Sequence, residues 1–432
     1  MLVELLLAGR PVELPSLRRV LSEEALAGLA ECGVLTVDGD EVSARVAIEP
    51  LDDVLLVGDV PPLGEPDLDY AAPASPSSFQ LARLTVRRDV ERTLDLGTGA
   101  GFQAVLAAAH SRHVLGIDLN RRALGHAALA LELNGRTNVE LREGSWFEPV
   151  EEDARFDLVV SNPPFLAAPD VTWRYAHSEQ PYELSRRLIR AAAERLNEGG
   201  LGHVMCAWGL RSGDEWLATP RGWVEGLGCD ALVFWFETSS AVDYATGEHR
   251  QLLGRDRDEF DRRVDGLLEY LDRIGSDDIA FGLVVLRRRT GENWVRGVPS
   301  AGPSGASGPQ VERMLAGGDL LEAKPNDDEV LETAYRPAPG LRFTQSWALD
   351  PNVPGERVEA HADAGVSVHV DPPVAHAVSA SDGGLTLGEL IEFVAADSSH
   401  DPAVLRASAA RSARELVATG LLEPVRPAWG DG

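Results

Sequence analysis

Short apolar runs recur at regular intervals through the middle of the chain, at Arg92–Leu96, His113–Ile117, Val139–Arg142, Phe156–Val160 and Gly202–Ala207. Between them lie stretches with helical spacing, Phe102–His110, Arg121–Asn134 and Glu183–Leu196. Continuous apolar strands alternating with helices predict an α/β fold with a parallel sheet covered on both faces. Asn197-Glu198-Gly199-Gly200 reads as a helix stop before the fifth strand. Leu232–Phe236 and Ile279–Arg287 read as the last two strands, separated by a charged, helix-rich insertion over about Ser239–Gly275.

The flanks follow other periods. Leu17, Val20, Leu21, Leu26, Leu29 and Ala30 fall at helical spacing, with Ser22-Glu23-Glu24 as a cap. A turn at Asp38-Gly39-Asp40 between β-forming runs predicts a hairpin. Helices followed by a hairpin suggest a winged-helix-like module over 1–70, closed by the proline-rich linker Pro61–Pro76. Leu385–Ile391 and about Pro402–Thr419, followed by Gly420-Leu421-Leu422, repeat that plan loosely and suggest a second such module over 381–432. Pro299–Pro309 is rich in Gly, Ser and Pro and reads as flexible. Leu341–Leu349 and Gly365–Val370 alternate like strands, so 299–380 is expected to be a linker and a β-rich appendage. The core then occupies 71–298.

Two loops of that core carry chemistry. Thr93-Leu94-Asp95-Leu96 runs into Gly97-Thr98-Gly99-Ala100-Gly101, and a helix follows. Glycines admit positive φ and close approach of a ligand, and a helix start offers unpaired N–H groups. Asp118 ends the next strand about 20 residues on, where a ribose-binding carboxylate stands in nucleotide-type α/β folds. The second loop is Ser161-Asn162-Pro163-Pro164-Phe165, after the apolar run Phe156–Val160. Two prolines neither extend a strand ladder nor enter a helix interior. They hold a rigid loop with free carbonyls, beside one amide and one aromatic ring.

Asp95–Gly101, Asp118, Gly144-Ser145-Trp146-Phe147 and Asn162–Phe165 together resemble the successive motifs of class I S-adenosylmethionine-dependent methyltransferases. They are most similar to the amino-methylating branch with Asn-Pro-Pro-Tyr/Phe, which includes release-factor glutamine and ribosomal-RNA guanine and adenine N-methyltransferases. The resemblance covers roughly residues 75–210. It implies a Rossmann-like core of seven strands and S-adenosylmethionine as cofactor. Gly97, Gly99 and Gly101 would pass under its methionine part, with Asp95 placing the amino group and Asp118 the ribose. Ser145 and Trp146 would flank the adenine, Ser145 standing where these enzymes often carry an acid. The side-chain oxygen of Asn162 and the carbonyl of Pro163 would accept hydrogen bonds from the acceptor nitrogen, and Phe165 would stack on its planar group. Asn162 thus belongs to both the catalytic and the cofactor set. Ser75–Phe79 resembles a lid over substrate or cofactor in this branch. Trp173, Tyr175 and His177 follow the loop as candidate pocket residues, and Tyr244 and His249 lie in the insertion.

The expected activity is N-methylation of a planar nitrogen, in a protein side-chain amide or a nucleobase. Methylation of a small molecule or peptide, and a non-catalytic S-adenosylmethionine-binding role, are the alternatives. A nicotinamide dehydrogenase shares the glycine and acid logic but gives Asn162–Phe165 no role. Charge narrows the partner. With 69 acidic against 40 basic residues the formal charge is −29, and Lys324 is the single lysine. An acidic surface opposes phosphate backbones, which favours a protein or small-molecule acceptor; the expected partner is a methyl acceptor, protein or RNA ahead of DNA. Cys32, Cys206 and Cys229 follow no metal spacing, so no metal is expected and a reducing, cytoplasmic setting is. The apolar start Met1–Ala8 is too short to span a membrane and lacks the flanks of a signal peptide. Oligomeric state is not written in these patterns.

Overall fold

The central sheet takes its order from the apolar runs. In a computed structural model that describes residues 1–61, 69–165, 181–347, 356–397 and 401–425, the strands are β1 (Val90–Leu96), β2 (Ser111–Asp118), β3 (Val139–Glu143), β4 (Phe156–Ser161), β5 (Leu196–Leu210), β6 (Cys229–Ser240), β7 (Asp278–Arg288) and β8 (Val295–Pro299). Among the described residues these are eight strands, one more than the seven expected. The chain divides into two compact units, one of residues 1–82, 87–229 and 237–293, the other of 83–86, 230–236 and 294–432.

In the first unit the order is β7-β5-β4-β1-β2-β3. The strands β5, β4, β1, β2 and β3 run parallel, and β7 returns antiparallel against β5. Leu94, Leu96, Val114, Ile117, Leu158 and Val159 are fully buried, as continuous apolar runs require in a doubly covered sheet. The chain leaves β1 for β2 on one side and reaches β4 on the other, so the strand order reverses at β1. Ligands of open α/β sheets bind outside the carboxyl ends of the strands at such a point. Gly97 and Asn162 emerge there side by side. Asn197–Gly200, read as a helix stop, lies instead within β5, where the register with β4 shifts between Leu196 and Leu201.

Residues before the core share its apolar interior. The expected hairpin forms, with Leu35–Asp38 against Glu41–Ala44 and Gly39 at φ 59° in the turn. Ser22 caps the helix Glu23–Glu31 through the Ala25 N–H at 3.1 Å. A second hairpin, Val46–Leu51 with Val54–Asp59, lies against the helix α2 (Arg121–Leu133) that follows α1 (Phe102–Ala107). Leu5, Leu17, Val42 and Leu56 join Phe102, Val105 and Leu131 in one cluster, so the module read as 1–70 shares its core with α1 and α2.

In the second unit, Ala231 to Trp235 of β6 pair parallel with β8. The extra strand β8 was hidden because its five residues include Arg296, Gly297 and Pro299. In the segment 299–380 the expected strands form, but the stretch read as a flexible linker is tied down. Ser300 Oγ donates to the Ala364 carbonyl at 2.7 Å, and the N–H groups of Ala301 and Ser304 donate to Gly365 and Asp363, each at 2.8 Å. Helices Gly308–Ala323 and Pro372–Ala380 flank a three-stranded antiparallel sheet, Arg342–Trp347, Glu356–His361 and Ser367–Val370. Small polar residues that read as a linker here saturate backbone groups. The core continues into Leu387–Ala396 and Pro402–Ala418, so no break in packing falls at 381. Among the described residues, no helix is long and apolar enough to cross a membrane.

Candidate active site

The glycine loop is built by backbone conformation. Gly97, Gly99 and Gly101 have φ of 74°, 55° and 86°, in the left-handed region that other residues avoid. Gly97 and Thr98 both donate N–H to the Ile117 carbonyl at 2.9 Å. A Cβ added at Gly97 or Gly99 would meet nothing within 4 Å, whereas at Gly101 it would lie 2.9 Å from Ala127 Cβ. The first two glycines therefore border open space, and the third permits α1 to approach α2.

Two carboxylates stand at this loop. Asp95 is 1% exposed and accepts the Thr98 hydroxyl hydrogen at 2.6 Å. Burial pushes its carboxyl up to about 7 against that hydrogen bond. Asp118 accepts from the Gly99 N–H and the Asn120 N–H, each at 2.8 Å, one on each oxygen. Its carboxyl is also raised by burial, against backbone hydrogen bonds from Asn120, Gly99 and Leu119, which still leave lone-pair capacity for a hydroxyl donor. Gly144 donates its N–H to the Asp118 carbonyl at 3.0 Å, so the loop with Ser145 and Trp146 starts beside Asp118. Trp146 holds φ 49°, a costly conformation for an aromatic residue, and is half-buried like Ser145.

Asn162 leaves β4 where Ser161 Oγ donates to the Leu96 carbonyl at 2.8 Å. Its Nδ2 lies 3.4, 3.1 and 3.0 Å from the hydroxyl oxygens of Ser75, Ser77 and Ser78. Its Oδ1 is buried and has no hydrogen-bond partner among the described residues. An orphaned buried acceptor is costly and signals a missing donor. Phe165 is 9% exposed and set edge-on to Phe281, ring centroids 6.5 Å apart, with Tyr244 a further 6.1 Å away. Tyr244 is thus a buried neighbour of Phe281, and His249 is half-buried farther along the insertion. Pro163 is buried.

A cavity of about 150 Å³ joins these loops, lined by Pro73, Ser75, Ser78, Gly97, Gly99 and Asn162 among others. It holds a fragment rather than a whole nucleotide-type ligand, and Asp118, Ser145 and Trp146 do not line it. A larger cavity of about 450 Å³ sits at the amino ends of β1 to β3, beside Arg92, His113 and Arg142. It contains none of the expected residues and lies at the wrong end of the strands for this chemistry. Trp173, Tyr175 and His177 lie outside the described residues. Sequence reading missed the partnership of Asn162 with the serines, which it took for a lid. The signal was three hydroxyls around Pro76 at the start of the helix Pro76–Leu84.

Residues 75–207 match the methyltransferase small domain. The resemblance carried by the motifs is the one that known proteins return. A release factor glutamine methyltransferase of Aliivibrio fischeri is 30% identical over 174 residues, covering 39% of this chain and 57% of the relative. A ribosomal protein uL3 glutamine methyltransferase of Bradyrhizobium diazoefficiens is 30% identical over 164 residues, covering 34% and 50%. The chain spans about half the length of the curated relatives it matches. A solved rRNA methylase of Streptococcus thermophilus aligns over 50% of this chain and 98% of that one, at 18% identity and a TM-score of 0.30.

Proposed function

We propose that this chain is an S-adenosylmethionine-dependent N-methyltransferase acting on a protein side-chain amide. The observation that carries the proposal is the Asn162 amide. Its nitrogen is engaged by serine oxygens, and its oxygen is buried and, among the described residues, unsatisfied beside the glycine loop. That oxygen asks for an N–H donor, and the acceptor nitrogen of an amide brings one. The matched relatives act on glutamine in proteins, which favours a protein amide over a nucleobase, as does the net charge of −29.

The residues present fit the cofactor at its methionine end. The open space over Gly97 and Gly99 accommodates a ligand against the backbone, and Asp118 keeps lone pairs for ribose hydroxyls. Asp95 would orient the amino group, and Ser145 and Trp146 would flank the adenine. When bound, S-adenosylmethionine supplies an electrophilic methyl on a sulfonium. The protein's part is placement. An amide nitrogen is a poor nucleophile because its lone pair is delocalised into the carbonyl. Asn162 Oδ1 and the Pro163 carbonyl, each accepting one N–H, would favour a pyramidal nitrogen with its lone pair free. Those bonds strengthen as the nitrogen gains positive charge, so they stabilise the transition state more than the ground state. Fixing the direction of attack supplies the rest. We place the reaction in the cytoplasm, and read the winged-helix-like ends as protein-docking or structural caps.

The test is incubation of the full chain with methyl-labelled S-adenosylmethionine and three fractions of a lysate: protein, RNA and small molecules. Label is expected in protein, at a side-chain amide. Label confined to RNA or small molecules would overturn the acceptor class. Binding of NAD in place of S-adenosylmethionine would overturn the reaction.

A further inference from the structure

We propose that Ser75, Ser77 and Ser78 are positioning residues, a hydroxyl cradle that fixes which way the Asn162 amide faces. The proposal rests on the function argued above. A primary amide turned by half a revolution about its last bond exchanges oxygen for nitrogen with almost no change of shape. In the turned state Asn162 would aim N–H groups at the N–H of the acceptor, two donors facing each other. Some feature of the protein has to distinguish the two states.

The cradle has that capacity. All three hydroxyl oxygens lie within 3.4 Å of Nδ2. The serines are bound to one another, with Ser75 Oγ 2.9 Å from Ser77 Oγ and 2.8 Å from Ser78 Oγ. Ser78 N–H donates to Ser75 Oγ at 3.2 Å, and Ser75 N–H donates to Ser78 Oγ at 3.3 Å. Two of the three hydroxyl protons are thus used between serines, which leaves lone pairs for the two amide hydrogens. The group is anchored from behind. Gln103 of α1, itself 7% exposed, donates Nε2–H to the Ser78 carbonyl at 2.8 Å, and Phe79 packs edge-on to Phe102 at 5.2 Å. Pro76 restricts the backbone between the first two serines. The loop that aims Asn162 also walls the cavity over Gly97 and Gly99, so one small element sets both sides of the reaction.

A double-mutant cycle in the full chain tests this. Replacing all three serines by alanine is expected to lower kcat about tenfold or more, the scale of a lost orienting contact, with the acceptor KM changed far less. Made in an Asn162→Ala background, the same replacement should cost nothing further, because the cradle acts only through Asn162. Equal losses in both backgrounds would overturn the proposal while leaving the methyltransferase reading intact. Unchanged turnover in Asn162→Ala alone would sink that reading and the cradle with it. Should the triple variant fail to fold, Ser78→Thr, which keeps the hydroxyl, and Ser78→Val, which has the same shape without it, decide the matter. Threonine should retain most activity and valine lose it. Equal activity of the two would overturn the proposal.

Discussion

Ser161 donates its hydroxyl hydrogen to the carbonyl of Leu96 at 2.8 Å, across the carboxyl ends of two adjacent parallel strands. Both groups are buried. The bond joins the last residue of β4 to the last residue of β1. The glycine loop departs from one and the Asn-Pro-Pro-Phe loop from the other, so the two loops share an origin.

Ser161→Ala should therefore cost about 1 kcal/mol of stability, the usual net worth of a buried hydrogen bond, and should reduce turnover with it. Urea unfolding and steady-state rates measure both. Full turnover together with full stability would show that this bond does not hold the loops in place.

Much of this arrangement was legible in the sequence. The strands, Asp95, the three glycines, Asp118 and Asn162 fall where the apolar period and the motifs put them, because a buried parallel sheet leaves few ways to place its loops. What was not legible is what depends on contacts between distant segments. Ser75 to Ser78 lie 84 to 87 residues from Asn162, and no periodicity links them. The contact of Phe165 with Phe281 likewise joins two segments more than a hundred residues apart. Ser300 and Ser304 read as linker residues because their partners, Ala364 and Asp363, lie about sixty positions on.

Asn162→Ala is expected to leave S-adenosylmethionine binding within about twofold and to lower kcat by about 10² or more, as loss of a donor or acceptor aimed at developing charge does. Calorimetric titration and single-turnover rates separate the two effects. Equal losses in binding and turnover would assign Asn162 to the cofactor alone.

The glycines should divide by what surrounds them. Gly97→Ala and Gly101→Ala both carry the strain of positive φ, roughly 1–2 kcal/mol. At Gly97 the added methyl enters open space, so weakened cofactor binding should be its main effect. At Gly101 it meets Ala127, so the larger loss should be in thermal stability. Melting midpoints and cofactor affinities of the two variants give the comparison, and identical profiles would contradict it.

Asp95 makes stability depend on pH. Its carboxyl is raised from 3.8 to about 7 in the folded protein by burial. Between those values the folded state holds the proton more tightly than the unfolded chain. Its contribution is therefore fully present below about pH 4 and is lost as pH rises through about 7. Urea midpoints should fall from about pH 5 to about pH 8, and Asp95→Asn should flatten that slope. An unchanged slope in the variant would place the dependence on another group.

Asp59 is the last case, because it ties the N-terminal hairpin to the core. Its side chain is 3% exposed. One oxygen accepts from Arg122 Nη2 at 2.7 Å and lies 2.8 Å from His126 Nε2, and the other accepts the Ala71 N–H at 2.8 Å. Removing the carboxylate leaves a buried imidazole and a buried N–H without their partner, on a helix whose apolar face the hairpin covers. Asp59→Ala should thus lower the unfolding free energy by about 2 kcal/mol, the cost of leaving buried donors unsatisfied. Asp59→Asn, which keeps an acceptor, should lose less. Because Leu56 and Val57 of that hairpin share a cluster with Phe102 and Leu131, unfolding should remain a single transition within this unit. Separate melting of the N-terminal residues in the Asp59→Ala variant, followed by hydrogen exchange, would show instead that the module stands apart from the core.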